Sequence, residues 1–337
     1  MRHLFISLLF LIILLVFQIT AFSWSSHGVF TFLVVTSIDG FDYSKLVEIS
    51  EYSYSESRNY KAGRYITHDL VQKGEKKIDR EDDVLQETDI EIVPDLVLSD
   101  GKIPVWMIFL VYSSLPDNGM DFVEDNFLAS LFLGETQANR HGYFKVSFFE
   151  YFEGDKSFLH FLRMSKNAFN KGDMYWGYRF LAYALHYLED LMQPYHVRPG
   201  TVPEMLTYLF DGRMKTFLRN AHFAYDDYMT FLLYFSKHKY AFRELVKSTK
   251  PLILPVSDDQ LIYEAIVYSY TSFFAIHEEI KKAFGTILSE RRVRIEDFQK
   301  AEEEGKLDNL YKLTKKLVSA LTSLAKGIII TTVPIPK

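Results

Sequence analysis

The residues best suited to bind a metal ion lie in one short segment, His186-Tyr-Leu-Glu-Asp190-Leu-Met-Gln-Pro194-Tyr-His196. His186 and Asp190 are four residues apart, so on a helix both side chains leave the same face and can bind one ion. Pro194 ends such a helix, and the turn after it allows His196 to point back toward the same space. A lone His/Asp pair at this spacing usually only stabilises its helix, but the full segment indicates a metal site.

Two further segments carry residues of the same chemical types. His222 and Asp226 are again four residues apart in a helical pattern, and alone they would most simply form a structural contact. Asp117 lies in a turn built by Pro and Gly, where a carboxylate is by default part of the turn, and His141 follows it by 24 positions. The sequence contains no Cys, so any metal ion must be bound by His, Asp, Glu or backbone groups.

The N-terminal segment has the pattern of a secretory signal peptide. A basic start precedes a long apolar run, and the small-residue pattern Ala21-Phe-Ser23 follows it. Cleavage after Ser23 would make Trp24 the first residue of a secreted protein, with His27 shortly after it. The alternative is an uncleaved membrane anchor over residues 4–22, because this run comes close to the length that spans a bilayer.

The composition is that of a globular protein and excludes several classes. Apolar residues make up 48% of the 337 residues and charged residues 24%, which excludes an intrinsically disordered chain. The formal net charge of −6 argues against a partner bound mainly through a basic surface, such as duplex DNA. The length allows one large domain or two modest ones.

Helical periodicity predicts the elements that must position these residues. An apolar helical pattern runs up to Gly172, a plausible C-cap, and Asp173 is expected to cap a helix that reaches Gln193. The other predicted helices cover residues 203–229 with a break near Gly212, 259–289 and 306–324. Strand patterns are scarce, with one short strand or hairpin expected over residues 89–97. We therefore predict an all-α, multi-helix bundle-like domain whose metal or ligand groups project from facing helices.

Taken together, these segments resemble the zinc-dependent phospholipase C family and its relatives, the single-strand-specific zinc nucleases. His-Tyr-x-x-Asp-x-x-x-Pro-x-His is the signature of that family, and it stands here from His186 to His196. In that family the signature is followed by a second metal-binding pair, His-x-x-x-Asp/Glu. It is preceded by a Pro-Asp turn and a His-aromatic pair. The mature chain of the family begins with Trp, followed shortly by a His. The positions that match these features are His222, Asp226, Asp117, His141, Trp24 and His27. The resemblance covers roughly residues 24–230.

The resemblance implies a single α-helical catalytic domain over residues 24–337 that binds three zinc ions. The first ion would be bound by Asp117, His141, His186 and Asp190. The second would be bound by the amine and carbonyl of Trp24, by His27 and by the other oxygen of a bridging Asp190. The third would be bound by His196, His222 and Asp226. Asp190, as the bridge, and Asp117, as a base that orients the attacking water, are the implied catalytic residues.

The activity implied by the resemblance is hydrolysis of a phosphate ester by a metal-activated hydroxide, because zinc lowers the pKa of a bound water to about 7. We expect a secreted, phospholipase C-like enzyme that touches a membrane surface transiently and needs no obligate protein partner. The alternative substrate is single-stranded nucleic acid, although an acidic chain slightly disfavours a polyanion. An alternative of another class is a membrane-anchored, non-catalytic helical protein.

Several features depart from the family pattern. Glu189 stands where the family usually has Gly or Thr, and it is expected to face solvent, to crowd the neighbouring helix or to add charge near the metals. The 90 positions between His27 and Asp117 predict an inserted subdomain over roughly residues 40–105 and leave Asp95 as an alternative ligand. Residues 235–337 carry no metal motif and are predicted to form additional packing helices. His277, in this part, has no partner at ligand spacing.

Overall fold

The computed structural model describes residues 26–55, 101–117, 140–146, 149–208 and 210–334. Most of the regular structure in these residues is helical, which confirms the all-α prediction. Trp24, Asp95, the signal-like segment and the predicted strand over residues 89–97 lie outside the described residues. Within the described part of the chain, no helix combines the length and the apolar character needed to cross a membrane.

The helices are numbered here in chain order. They are α1 (His27–Val35), α2 (Val105–Tyr112), α3 (Gly154–Asn170), α4 (Met174–Leu191), α5 (Pro194–Val197), α6 (Val202–Tyr208), α7 (Gly212–Tyr234), α8 (Lys239–Ser248), α9 (Asp258–Phe284), α10 (Ile287–Glu290), α11 (Ile295–Glu303) and α12 (Asp308–Thr332). The four short strands are β1 (Leu46–Glu48), β2 (Lys102–Pro104), β3 (Phe144–Val146) and β4 (Phe149–Tyr151).

The strands form two antiparallel pairs, β1 with β2 and β3 with β4, which the sequence patterns did not predict. Each strand has three residues, too few for an alternation of apolar and polar side chains to stand out. In the first pair Val47 lies opposite Ile103, and the Ile49 N–H donates to the Gly101 carbonyl at 2.9 Å. This pair brings the chain before and after residues 56–100 side by side. The inserted subdomain over residues 40–105 stays a prediction.

The hairpin of α3 and α4 lies at the centre of the fold and follows the sequence signals closely. Gly172 adopts φ +79°, a left-handed conformation that glycine takes without steric penalty, and it ends the connection from α3. The Asp173 side chain accepts a hydrogen bond from the Trp176 N–H at 3.3 Å, so it caps α4 as predicted. The two helices approach closely at Gly177, where an added Cβ would lie 2.4 Å from the Phe169 ring.

Helix α4 is buried on all sides, from Tyr175 to Leu191. It contacts α1, α2, α3, α9 and α12, as expected of a helix that is apolar around most of its circumference. Because α4 is surrounded by other helices, polar groups near its C-terminal end must find partners on those helices rather than in water. The segment with the metal-binding pattern therefore lies in the interior of the fold.

The remaining helix boundaries agree with the sequence analysis at the break and differ at the ends. The break near Gly212 is confirmed, since α7 starts there and Asp211 accepts from the Arg213 N–H at 2.8 Å. Helix α9 ends at Phe284 rather than at residue 289, because the next residue, Gly285, leaves the helical conformation with φ +43°. Helix α12 continues beyond residue 324 to Thr332, because the apolar residues that follow are buried against the core.

Candidate metal centre

His186 and Asp190 project from the same face of α4, near its C-terminal end, and both side chains are fully buried. The His186 Nδ1–H donates to the Ser113 carbonyl at 2.7 Å. A carbonyl can only accept, so this bond leaves the lone pair of His186 on Nε2. That atom lies 3.2 Å from Asp190 Oδ2. The contact to Ser113, which follows α2, therefore turns Nε2 of His186 toward Asp190 and toward His141 Nδ1, which lies 2.9 Å away.

The first group of candidate ligands is completed by two side chains from outside α4. Asp117, His141 and His186 offer ligand atoms that all lie within 4.8 Å of one another. His141 Nδ1 lies 2.6 Å from Asp190 Oδ2 and 3.5 Å from Asp117 Oδ1. The Asp117 side chain is 19% exposed, whereas the others are buried, so it faces the accessible side of the group. The structure thus brings together the four residues implied for the first ion.

The second group joins α1 to α4 through His27, His186 and Asp190, whose ligand atoms also lie within 4.8 Å of one another. His27 Nε2 lies 3.4 Å from Asp190 Oδ1 and 3.8 Å from Asp117 Oδ2. Asp190 therefore turns one oxygen toward His141 and His186 and its other oxygen toward His27. This is the arrangement that a bridging carboxylate needs. The remaining residue implied for this ion, Trp24, lies outside the described residues.

The third group consists of His196, His222 and Asp226. His196 follows Pro194, and its Nδ1 faces the His141 carbonyl at 3.3 Å, while Gln193 donates to Asp226 Oδ1 at 2.7 Å. The atoms left over are His196 Nε2, His222 Nε2 and Asp226 Oδ2. All three are buried, and none has a hydrogen-bond partner among the residues that the structure describes.

These three atoms provide a test of whether the residues fit a metal ion. A buried polar atom without a hydrogen bond costs about 1–3 kcal/mol, so three in one place are expensive unless something binds them. Two imidazole nitrogens and a carboxylate oxygen are a ligand set that suits zinc. His196, His222 and Asp226 therefore fit a bound cation better than they fit an apolar core.

The electrostatics of the first two groups favour a positive charge. Burial alone would raise the pKa of Asp190, but His186, His196 and His141 hold it well below its ordinary value. Burial alone would lower the pKa of His27, but its hydrogen bonds to Asp190 and Glu189 raise it well above the ordinary value. The carboxylates thus hold positive charge on an imidazole in a fully buried place. A divalent cation would meet the same need.

The third group behaves differently because burial has the largest effect on the pKa values of His222 and Asp226 and is not outweighed by neighbouring charges. Burial lowers the pKa of His222 well below its ordinary value. Burial, together with the charges of Asp227 and Asp190, raises the pKa of Asp226 well above its ordinary value. Both changes disfavour the charged forms in the absence of a metal ion.

Glu189 is a buried residue of the site that the sequence analysis did not assign to it. Of the three alternatives that the sequence leaves open for Glu189, facing solvent is wrong, because the side chain is 1% exposed and lies beside the ligand groups. Its Oε2 accepts from His27 Nδ1 at 2.5 Å, and its Oε1 accepts from the Thr31 hydroxyl at 2.7 Å. The signal in the sequence for this role is the adjacent carboxylate pair Glu189-Asp190.

A second set of residues missed in the sequence lies behind the third group. The Tyr195 ring stacks on His222 with centroids 5.9 Å apart, and its hydroxyl lies 2.9 Å from His277 Nδ1. His277 Nε2 faces the Glu204 carboxylate at 3.0 Å. Helix α9 therefore does more than pack, because its His277 braces the ring that lies on a candidate ligand. No local spacing in the sequence could link residues this far apart.

No family model matches the sequence, and no curated protein matches it. The fold and the site together define an all-α protein with buried His/Asp groups that could bind metal ions, an arrangement compatible with a metal-dependent hydrolase.

Proposed function

We propose that the protein is a secreted, zinc-dependent phosphodiesterase, closest to phospholipase C in its activity. The observation that supports the proposal most is the position of Asp190, whose two oxygens face two different groups of imidazole ligands in the buried core. Paired metal ions that share a carboxylate suit the hydrolysis of phosphate esters. The third group, whose His196 Nδ1 lies 3.4 Å from Asp190 Oδ1, would bind a further ion.

The residues would divide the work as follows. Asp117, His141, His186 and Asp190 would hold one ion, His27 and Asp190 a second together with the terminus at Trp24, and His196, His222 and Asp226 a third. Zinc bound there would polarise a phosphoryl oxygen and lower the pKa of a water near it. Asp117 is the carboxylate of the site with exposed surface, so it is placed to accept a hydrogen bond from an incoming water and to orient it.

The proposal extends to the place of action and to the partners. Cleavage of the leader after Ser23 would export the protein and free the amine of Trp24, which as a peptide nitrogen could not bind zinc. Phospholipid is the proposed substrate, met through transient contact with a membrane surface. Sequencing the N-terminus of the secreted protein tests this part, since a start at Trp24 is expected and a retained leader would favour the anchored, non-catalytic alternative.

The activity itself is tested with Asp190→Asn, which keeps the shape of the side chain and removes its charge. Wild-type protein should release phosphocholine from phosphatidylcholine. The variant should lose activity by more than about 100-fold, because even the loss of a residue that only supports a ligand costs 10–100-fold. Asp227→Asn is the matched control, since it makes the same change at a carboxylate that pairs with Arg292 and belongs to none of the three ligand groups.

Three outcomes of this experiment separate the alternatives. Loss of phosphocholine release in Asp190→Asn but not in Asp227→Asn supports the proposal. Release of acid-soluble nucleotides from denatured DNA, without phosphocholine release, would assign the site to nuclease activity. Full activity and full zinc content in Asp190→Asn would refute the bridging role of Asp190.

A further inference from the structure

Helix α4 carries two adjacent carboxylates that face different neighbours. Successive residues of a helix are turned by about 100° from one another. Asp190 faces the imidazoles of His141 and His186 and the Nε2 side of His27, whereas Glu189 faces the Nδ1 side of His27 on α1. Both carboxylates are buried, and a buried carboxylate is expensive unless its oxygens are bound. The burial of Glu189 must therefore be offset by the groups that its two oxygens contact.

Both oxygens of Glu189 are occupied by one turn of α1. Oε2 accepts from His27 Nδ1 at 2.5 Å and Oε1 accepts from the Thr31 hydroxyl at 2.7 Å. His27 and Thr31 are four residues apart, so both side chains leave the same face of α1. One carboxylate thus fixes the rotation of α1 and its position along α4. Glu189 itself belongs to none of the three groups of candidate ligands.

The same contact decides which nitrogen of His27 can bind a metal ion. While Glu189 Oε2 accepts at this contact, His27 Nδ1 carries the proton that it donates. The nitrogen left to give up its proton is Nε2, which lies 3.4 Å from Asp190 Oδ1 and 3.8 Å from Asp117 Oδ2. The ring of His27 also lies beside that of His186, with centroids 4.1 Å apart.

We propose that Glu189 is a positioning residue for metal binding, which orients His27 and selects Nε2 as its metal-binding nitrogen. The proposal rests on the proposed function, since it assumes that His27 binds an ion. It assigns a role to a residue at which the chain departs from the family it resembles. A carboxylate behind a ligating imidazole also raises the basicity of that ligand. Glu189 thereby links the α1–α4 contact to the affinity of one metal ion among three.

The test measures zinc binding rather than activity, with two substitutions at one position. Glu189→Leu keeps the bulk and removes both acceptors, whereas Glu189→Gln keeps an acceptor for His27 Nδ1 and removes the charge. Metal-free secreted protein is titrated with zinc against a chromophoric chelator, and the same titration with cobalt records the absorption of each site. Glu189→Leu should weaken one of three ions by about 10–100-fold and leave the other two unchanged. Glu189→Gln should recover part of the loss.

Glu302→Gln is the matched control, because Glu302 is also buried and accepts from the Ser236 hydroxyl and the Lys237 N–H, away from every candidate ligand. This control should bind three ions as the wild type does. Equal affinities for all ions in wild type and in both Glu189 variants would overturn this inference and leave the proposed function standing. A wild-type chain that binds no zinc would overturn both. Weakening of all three ions alike, in Glu189→Gln as well, would show a general loss of packing and would also overturn it.

Discussion

Asp226→Asn should have opposite effects on the metal-free protein and on the zinc-loaded protein. Asp226 Oδ2 and His222 Nε2 are buried, lie 3.3 Å apart and have no hydrogen-bond partner in the described part of the chain. An amide at position 226 can donate from the Oδ2 position to His222 Nε2, while its oxygen still accepts from Gln193. The substitution therefore gives His222 Nε2 a hydrogen-bond partner and removes a candidate ligand.

The magnitude follows from the unpaired atom that stays in place, His222 Nε2. An unsatisfied buried polar atom costs about 1–3 kcal/mol, so metal-free Asp226→Asn should be more stable than wild type by about 1–3 kcal/mol. The gain should grow as the pH rises from about 4, the region where an unfolded carboxyl ionises. The reason is that burial raises the pKa of Asp226, so folding with this group becomes less favourable with rising pH.

With zinc present the order should reverse. An ion at a concentration 100 times its dissociation constant stabilises the folded state by about 2.7 kcal/mol, and Asp226→Asn should lose that contribution from the third group. The assay is urea unfolding followed by circular dichroism, in chelator and in excess zinc. Asp227→Asn, a change of the adjacent carboxylate, is the control, and it should lose no more than about 1 kcal/mol in both conditions. An Asp226→Asn protein that is less stable than wild type in chelator, or that keeps the full response to zinc, would refute the reasoning.

Two further substitutions test packing and charge away from the ligands. Gly177→Ala places a Cβ 2.4 Å from the Phe169 ring. Urea unfolding should show that the free energy of unfolding falls by about 1–3 kcal/mol, even though Ala favours helices. An unchanged unfolding midpoint would contradict the close approach of α3 and α4. Burial alone would raise the pKa of Glu204, but hydrogen bonds from His277 and Thr201 lower it below the ordinary value. The contribution of Glu204 to the stability of the folded state is therefore complete above about pH 4.3 and is lost as the pH falls through the lowered pKa. Glu204→Gln should therefore be less stable by about 1–2 kcal/mol at pH 7, with a difference that shrinks in an acid titration of unfolding; a difference independent of pH would contradict this.

The sequence predicts the helices around the site well because their signals are local. Asp173 caps α4, Gly172 ends the preceding turn, and Gly212 marks the start of α7, as expected from residue type and position alone. The predicted helix ends are wrong where tertiary packing, rather than a local capping signal, determines the end of the helix. Helix α12 continues to Thr332 because its last turns are buried, which no capping signal in the sequence shows.

The candidate ligands could be proposed from the sequence because each pair is either close in sequence or part of a recognisable pattern. The groups that support them could not. Glu189 on α4 contacts His27 and Thr31 on α1, which is distant in sequence. Glu204 on α6 likewise contacts His277 on α9. Such contacts follow from how helices pack, and neither helical periodicity nor residue spacing carries that information.

The most direct test of the central claim is the zinc content of the purified protein, measured by elemental analysis after dialysis against buffer with trace zinc. The His/Asp groups on and around α4 should retain close to three zinc ions per chain, and dialysis against a chelator should remove them. A folded chain that retains no zinc under these conditions would contradict the account.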